Sequence, residues 1–122
     1  MVAKYSGLIG TPYKIRDCYQ IVVDFYRIVF NLELRNYYDE APQNKDIAKN
    51  LIYSSMKDFK EVYTREFGDI VLIKVMGVES HIAVILDSTT LLHTTKATGC
   101  VVDRVSKWEK RIVGTYRVRI DI

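Results

Sequence analysis

Residues 17–30 read DCYQIVVDFYRIVF, and this stretch decides how the chain folds. Apolar side chains occupy nearly every position, which is typical of a helix that is buried on most sides. Its β-branched and aromatic residues would also suit a strand, but the length of the run, which continues to Leu32, favours a helix. Asp17 is a favoured N-cap residue. We therefore predict a buried central helix that begins at Cys18.

Patterns on both sides of this helix predict the rest of the domain. Residues 4–10 carry a helical pattern that ends at Gly10, and apolar spacing from Ile47 to Val62 predicts a second amphipathic helix. After Gly68 the sequence is rich in β-branched residues and is broken by Gly, Ser and Thr. Strands are predicted at 70–75, 81–87, 91–94, 100–105 and 112–120, with one helical turn at 106–110. Helices followed by sequential strands predict an α+β domain with an antiparallel sheet.

Composition restricts the class of protein. The 122 residues are 48% hydrophobic, which suits one domain spanning 1–122. The net charge of +3 is mild and the basic residues are scattered, so nucleic-acid binding is not indicated. No apolar run is long enough to span a membrane, and the first residues lack the pattern of a signal peptide. Two cysteines do not make the framework of a small secreted domain, so we expect synthesis in a reducing cytoplasm.

Cys18 and the two histidines, His81 and His93, are the candidate catalytic residues. A thiol becomes a nucleophile when an imidazole takes its proton and a third group orients that imidazole. A helix N-terminus favours the thiolate, which predicts a lowered pKa for this cysteine. If the helix packs on the sheet, both histidines can face its N-terminus from neighbouring strands.

A structural interpretation of the same residues is also open. Cys18 could be a small buried hydrophobe, and the histidines could be ordinary strand residues. Cys100 is expected to be an inert core or strand residue. Because no close ligand pair such as C-x-x-C is present, we predict no metal site. No cofactor is expected.

The order of several motifs resembles the NlpC/P60 cysteine peptidases, which have a papain-like core. The matching pieces are IGTPY at 9–13, DC at 17–18, FGDIV at 67–71, SHIAVIL at 80–86, LLH at 91–93 and GCVVDRV at 99–105. Within the family, the chain looks most like members encoded by long-tailed bacteriophages as tail-tip or tail-assembly proteins. That likeness is carried by DCYQIVVDFYR at 17–27, NYYD at 36–39 and WEKRIVGTYRV at 108–118. The resemblance implies N-terminal helices packed on a C-terminal antiparallel β-sheet.

Carried over by position, the resemblance implies Cys18 as nucleophile, His81 as general base and His93 as the orienting third residue. It also implies three substrate-binding residues, which are Tyr13, Asp17 and Tyr19. Tyr13 would position the substrate or polarise the scissile carbonyl, and Asp17 would help to hold the amino end of the peptide. The backbone N–H of Cys18 would serve the oxyanion. The implied substrate is the peptide stem of bacterial peptidoglycan, cut at an amide that follows a D-isoglutamyl residue.

The chain departs from the family pattern on both sides of the cysteine. The family usually has DCSG, whereas Tyr19 and Gln20 follow Cys18 here. Only residues 14–16 separate Tyr13 from the aspartate, where the family often has a longer loop that contains glycine. Both departures bear on how a substrate would be held beside the thiol.

Three interpretations of the function remain open. The first is a thiol endopeptidase that hydrolyses peptidoglycan stems by a Cys–His–His mechanism while a phage tail penetrates the envelope. The second is a tail-tip component with little or no hydrolytic activity, and a third is a host enzyme acting on another amide or thioester. Lacking a signal peptide and wall-binding repeats, the domain is expected in the virion tail tip or a tail-assembly complex. Candidate contacts with tail proteins are Tyr37, Tyr38, Tyr116, Arg117 and Arg119, because Tyr and Arg are enriched at interface hot spots.

Overall fold

A computed structural model of the protein describes residues 4–34, 59–75 and 78–119. For residues 78–80 it describes the backbone only. The helices are a 3-10 helix at Lys4–Leu8, α1 at Cys18–Phe30, α2 at Val105–Trp108 and a 3-10 turn at Glu109–Arg111. The strands are β1 at Phe59–Val62, β2 at Ile70–Val75, β3 at Val78–Ile85, β4 at Thr90–Thr95, β5 at Gly99–Arg104 and β6 at Ile112–Val118. The predicted α+β class is confirmed, as are the five predicted strands, whose ends differ by a few residues.

The six described strands form one antiparallel sheet in the order β1-β6-β2-β3-β4-β5. Strands β2 to β5 follow one another as hairpins, and β6 returns to lie between β1 and β2. The two histidine-bearing strands, β3 and β4, are therefore neighbours in the interior of the sheet.

Side chains alternate between the two faces of the sheet along every strand. A different helix covers each face. The α1 face carries residues such as Leu72 and Ile82 in one apolar cluster with the helix. On the other face Val105 of α2 packs with residues such as Ile73 and Ile85. The sheet is thus apolar on both sides, and α1 and α2 lie on opposite faces.

Polar contacts fix the start of α1. Asp17 is confirmed as the N-cap, since its Oδ1 accepts the N–H of Gln20 at 3.0 Å. The buried carboxylate of Asp24 accepts hydrogen bonds from the guanidinium groups of Arg16 at 2.6 Å and Arg27 at 2.9 Å. Arg16 therefore ties the segment before α1 to the helix itself.

Neither α1 nor any other described helix is long and apolar enough to cross a membrane.

The FGDIV motif joins α1 to the sheet. The Tyr26 hydroxyl donates to the carbonyl of Gly68. Gly68 has a φ of 89°, and a side chain there would meet the ring of Phe30, so only glycine fits. The buried carboxylate of Asp69 accepts two hydrogen bonds from Arg117 on β6, at 2.9 and 2.8 Å. The motif therefore anchors the start of β2 to α1 and to β6.

The prediction of a second helix is wrong at its C-terminal end, because Phe59–Val62 forms strand β1 and pairs with β6. Apolar residues three positions apart fit a helical turn. The edge of β6 that does not face β2 instead supplies backbone partners for this segment. The ring of Phe59 also packs 6.2 Å from that of Tyr26 on α1. Tertiary pairing thus overrides the local pattern. The rest of that predicted helix, residues 47–58, lies outside the described residues.

Candidate active site

Cys18 is the first residue of α1, and its sulfur lies against the backbone of β3. The residue is 9% exposed. The N–H of Ile82 donates a hydrogen bond to the sulfur, and N–H groups of the first helical turn also point toward it. Strand and helix therefore direct backbone donors at one atom, which is the arrangement that stabilises developing negative charge.

The Ile82 N–H is available because β3 and β4 separate at this point. The described pairing between these strands covers Val84–Leu92 and Ile85–Leu91. The N–H of Ile85 donates to the carbonyl of Asp69, on the β2 side. Since N–H groups alternate in direction along an antiparallel strand, Ile82 directs its N–H away from β2. A ladder that continued to Ile82 would use this group, so the opening between β3 and β4 gives α1 access to it.

The two histidine rings contact each other across the same strands. Nε2 of His81 lies 2.9 Å from Nδ1 of His93, with the ring planes inclined at 65°. His81 is 8% exposed and His93 is 2% exposed. The other ring nitrogen of His93, Nε2, lies 3.2 Å from Oδ2 of Asp103 on β5. The three side chains form a continuous line, His81–His93–Asp103.

Trp108 of α2 supports this line. Its ring centroid lies 5.8 Å from that of His81 and 5.0 Å from that of His93. Its indole N–H donates to Oδ2 of Asp103 at 3.1 Å. The structure thus holds both imidazoles from the α2 side of the sheet. The predicted contact between the sulfur and His81 stays a prediction, because the described hydrogen bonds join the sulfur to the Ile82 N–H and not to this ring.

Burial keeps both Cys18 and His81 neutral near pH 7. Burial raises the pKa of Cys18 to about 11, and the charge of Asp17 adds to this rise, although the N–H of Ile82 opposes it. Burial, followed by the neighbouring His93, lowers the pKa of His81 to about 4. The lowered thiol pKa expected from the helix N-terminus is therefore wrong, because lost hydration outweighs the backbone donors.

The three predicted substrate-binding residues are placed unequally around the thiol. Tyr13 is half-buried, and its pKa is raised by burial and then by the charges of Cys18 and Asp17, which puts its hydroxyl in their neighbourhood. Asp17 is half-buried beside the cysteine as the helix cap. Tyr19 is 1% exposed within the apolar cluster of α1. Burial therefore argues against a substrate contact by the Tyr19 side chain, and the roles of all three stay predictions.

Cys100 lies in the core beneath the segment that carries Tyr13. Its side chain is fully buried, and its N–H donates to the carbonyl of Thr11 at 2.9 Å. Burial raises the pKa of this thiol to about 11, although Arg16 opposes the rise. Within the described ranges, no three His, Cys, Asp or Glu residues are placed to hold a metal ion.

Asp103 and Trp108 are the residues to which the sequence alone assigns no role. A register count could have found Asp103, since β4 and β5 form a hairpin in which His93 stands opposite Val101. Asp103 lies two positions further along β5, on the same face as His93 and within reach of it. Trp108 gives no such signal, because its contacts depend on how α2 turns back across the sheet.

A model of the NlpC/P60 family matches residues 4–117. The chain belongs to the NlpC/P60 family. Members of the NlpC/P60 family are generally cysteine peptidases or amidases, and membership indicates a peptidoglycan peptidase domain. No curated protein matches the chain. The family resemblance is thus confirmed, and its bacteriophage tail branch stays a prediction.

Proposed function

We propose that the protein is a cysteine endopeptidase that cleaves peptidoglycan stem peptides by a Cys–His–His mechanism, as part of a phage tail tip or tail-assembly complex. The observation that supports the catalytic role is the 2.9 Å contact between His81 and His93. His81 directly precedes Ile82, whose backbone N–H donates a hydrogen bond to the sulfur of Cys18. A nucleophile, a base and a group that orients the base are the three parts that acyl transfer requires.

In this mechanism, Nδ1 of His81 takes the thiol proton of Cys18 as the sulfur attacks the scissile carbonyl carbon. The C–N bond then breaks, the imidazolium gives its proton to the leaving amine, and the acyl part remains as a thioester on the sulfur. Water next attacks the thioester with His81 as base, which releases the carboxylate and the thiol. Because thiol and imidazole are both neutral at rest, proton transfer accompanies the attack and does not precede it.

The groups around the sulfur support the charged steps. The backbone N–H of Cys18, at the helix N-terminus, serves the oxyanion. The Tyr13 hydroxyl polarises the carbonyl or positions the peptide, and Asp17 holds the amine end of the stem. The half-buried state of Tyr13 and Asp17 leaves part of each side chain accessible to a peptide.

The test is incubation of the purified protein with soluble peptidoglycan fragments that carry intact stem peptides, followed by mass spectrometry of the products. Cleavage at the amide after D-isoglutamate is expected, and Cys18→Ala, His81→Ala and His93→Ala should abolish or strongly reduce it. Cys100→Ala is the matched control, because this second buried thiol lies outside the line of catalytic groups. Cleavage by Cys18→Ala, or none by the wild-type protein, would contradict the proposal.

A catalytically inactive tail component is the second candidate function. The observation that favours it is the buried, neutral thiol of Cys18, since an ordinary core cysteine has the same properties. The assay above separates the two candidates directly. An inactive component would leave stem peptides intact while remaining bound in the tail.

The tail role rests on the sequence likeness and on the candidate contact residues. Tyr37 and Tyr38 lie outside the described residues. On β6, Arg117 pairs with Asp69, and just after this strand Nε of Arg119 donates to the backbone carbonyl of Phe59 at 3.3 Å. Mass spectrometry of purified source-phage particles and assembly intermediates tests this role. Absence from both, with a free monomer that digests peptidoglycan, would contradict it.

A further inference from the structure

Asp103 ends the line of histidines with a carboxylate that is surrounded by donors. Its Oδ2 lies 3.2 Å from Nε2 of His93, 3.1 Å from the indole nitrogen of Trp108 and 3.5 Å from Nζ of Lys107. Its Oδ1 accepts the N–H of Arg104 at 2.9 Å. Partial burial by itself would raise the pKa of Asp103, but the hydrogen bonds from Trp108, Arg104 and His93 lower it to about 2. The carboxylate is therefore ionised at neutral pH and acts only as an acceptor.

An acceptor at this position determines where the protons of both imidazoles lie. Nε2 of His93 must carry the hydrogen that it donates to Asp103, so Nδ1 of a neutral His93 is unprotonated. Nε2 of His81, 2.9 Å from that nitrogen, must then be the donor in the contact between the rings. The remaining nitrogen of His81, Nδ1, is left with its lone pair.

We propose that Asp103 is a positioning residue that sets the tautomers of His93 and His81, so that Nδ1 of His81 is the proton acceptor of the site. This inference rests on the proposed function, because an acceptor nitrogen on His81 matters only if it takes the proton of Cys18. The reversed tautomers would place a hydrogen on Nδ1 of His81 and leave the thiol without a base.

The neighbours of Asp103 show what removal of the carboxylate would do. The Trp108 indole and the Lys107 ammonium group both approach the same oxygen as His93, and both are donors only. Without the carboxylate, Nε2 of His93 faces two donors and has lost its acceptor. The stable arrangement is then a bond from the indole N–H to Nε2, which requires the hydrogen of His93 on Nδ1. The contact between the rings would reverse with it.

Nitrogen NMR of the imidazole rings tests this directly, since protonated and unprotonated ring nitrogens have separate chemical shifts. In the wild-type protein near pH 7, both rings should carry hydrogen on Nε2. Asp103→Ala should move the hydrogen to Nδ1 on both rings, whereas Asp103→Glu, which keeps the carboxylate, should restore the wild-type tautomers. Hydrogen on Nδ1 of His81 in the wild-type protein, or unchanged tautomers in Asp103→Ala, would overturn the proposal.

Kinetics supply the second measurement. For Asp103→Ala, kcat on stem peptides should fall by about 10²- to 10⁴-fold, the usual contribution of a general base, with little change in KM. Glu109→Ala is the matched control, because it removes a nearby carboxylate that pairs with Arg65 at 2.6 Å and not with a histidine. An Asp103→Ala loss no larger than that of Glu109→Ala would refute the positioning role. If the wild-type protein cleaves no stem peptide, the proposed function fails while the NMR result still decides the tautomers.

Discussion

Acidification should destabilise the protein through His81. The ring is buried and neutral in the folded state, where its pKa is lowered from 6.5 to about 4 by burial and then by His93. In the unfolded chain the same ring takes up a proton near pH 6.5. A lowered pKa means that the stabilising contribution is complete above about pH 6.5 and is lost as the pH falls toward 4. The loss corresponds to about 3 kcal/mol of the free energy of unfolding.

Urea denaturation at pH 7 and at pH 4 measures this effect for the wild-type protein and for His81→Gln. Carboxylates are also protonated over this range, so the informative quantity is the difference between the two proteins in their pH-dependent loss of stability. Gln carries no charge at either pH and keeps polar groups near His93. The variant should therefore lose about 3 kcal/mol less than the wild-type protein. Equal losses would refute a buried, neutral His81.

Three further predictions concern the thiol and the scaffold. Cys18 in the folded protein should react with iodoacetamide at pH 7 on the order of 100-fold more slowly than in the urea-unfolded protein, because burial raises its pKa from 9.0 to about 11; equal rates would contradict this. Gly99→Ala should lower the free energy of unfolding by about 1–2 kcal/mol or more, since φ is 69° and the new Cβ would lie 2.8 Å from the Thr11 carbonyl oxygen; an unchanged urea midpoint would refute it. Tyr26→Phe should cost about 1–3 kcal/mol in the same assay by leaving the buried Gly68 carbonyl unpaired, and a loss near zero would count against that bond.

The elements that the sequence predicted are those in which local pattern and tertiary environment agree. The run after Asp17 is apolar on most sides, and α1 is buried between the sheet and the N-terminal 3-10 helix. Strands β2 to β5 follow one another as hairpins, so short-range patterning specifies both the strand and its partner. The helix prediction for Phe59–Val62 was wrong because the residues that pair with this segment, on β6, lie more than fifty positions away in sequence. No local pattern carries that information.

The site also contains residues that the sequence could identify and residues that it could not. The residue types of Cys18, His81 and His93 identify the chemistry, and their motifs identify the family. Asp103 and Trp108 act through geometry alone, because their contacts depend on the β4–β5 register and on the placement of α2. The thiol pKa was predicted in the wrong direction for a related reason. The helix N-terminus is visible in the sequence, whereas the loss of hydration that outweighs it depends on the whole fold.

The opening between β3 and β4 explains how one site can draw on both faces of the sheet. Ile82 packs its side chain with α1 and gives its N–H to the sulfur, while the preceding residue, His81, is held by Trp108 on the α2 side. With β3 and β4 paired through Ile82, the ladder would use the N–H that donates to the sulfur of Cys18. The proposed chemistry therefore requires that the described pairing between these strands stops after its two residue pairs, Val84–Leu92 and Ile85–Leu91. The opening between β3 and β4 brings the nucleophile to the strand that carries its base.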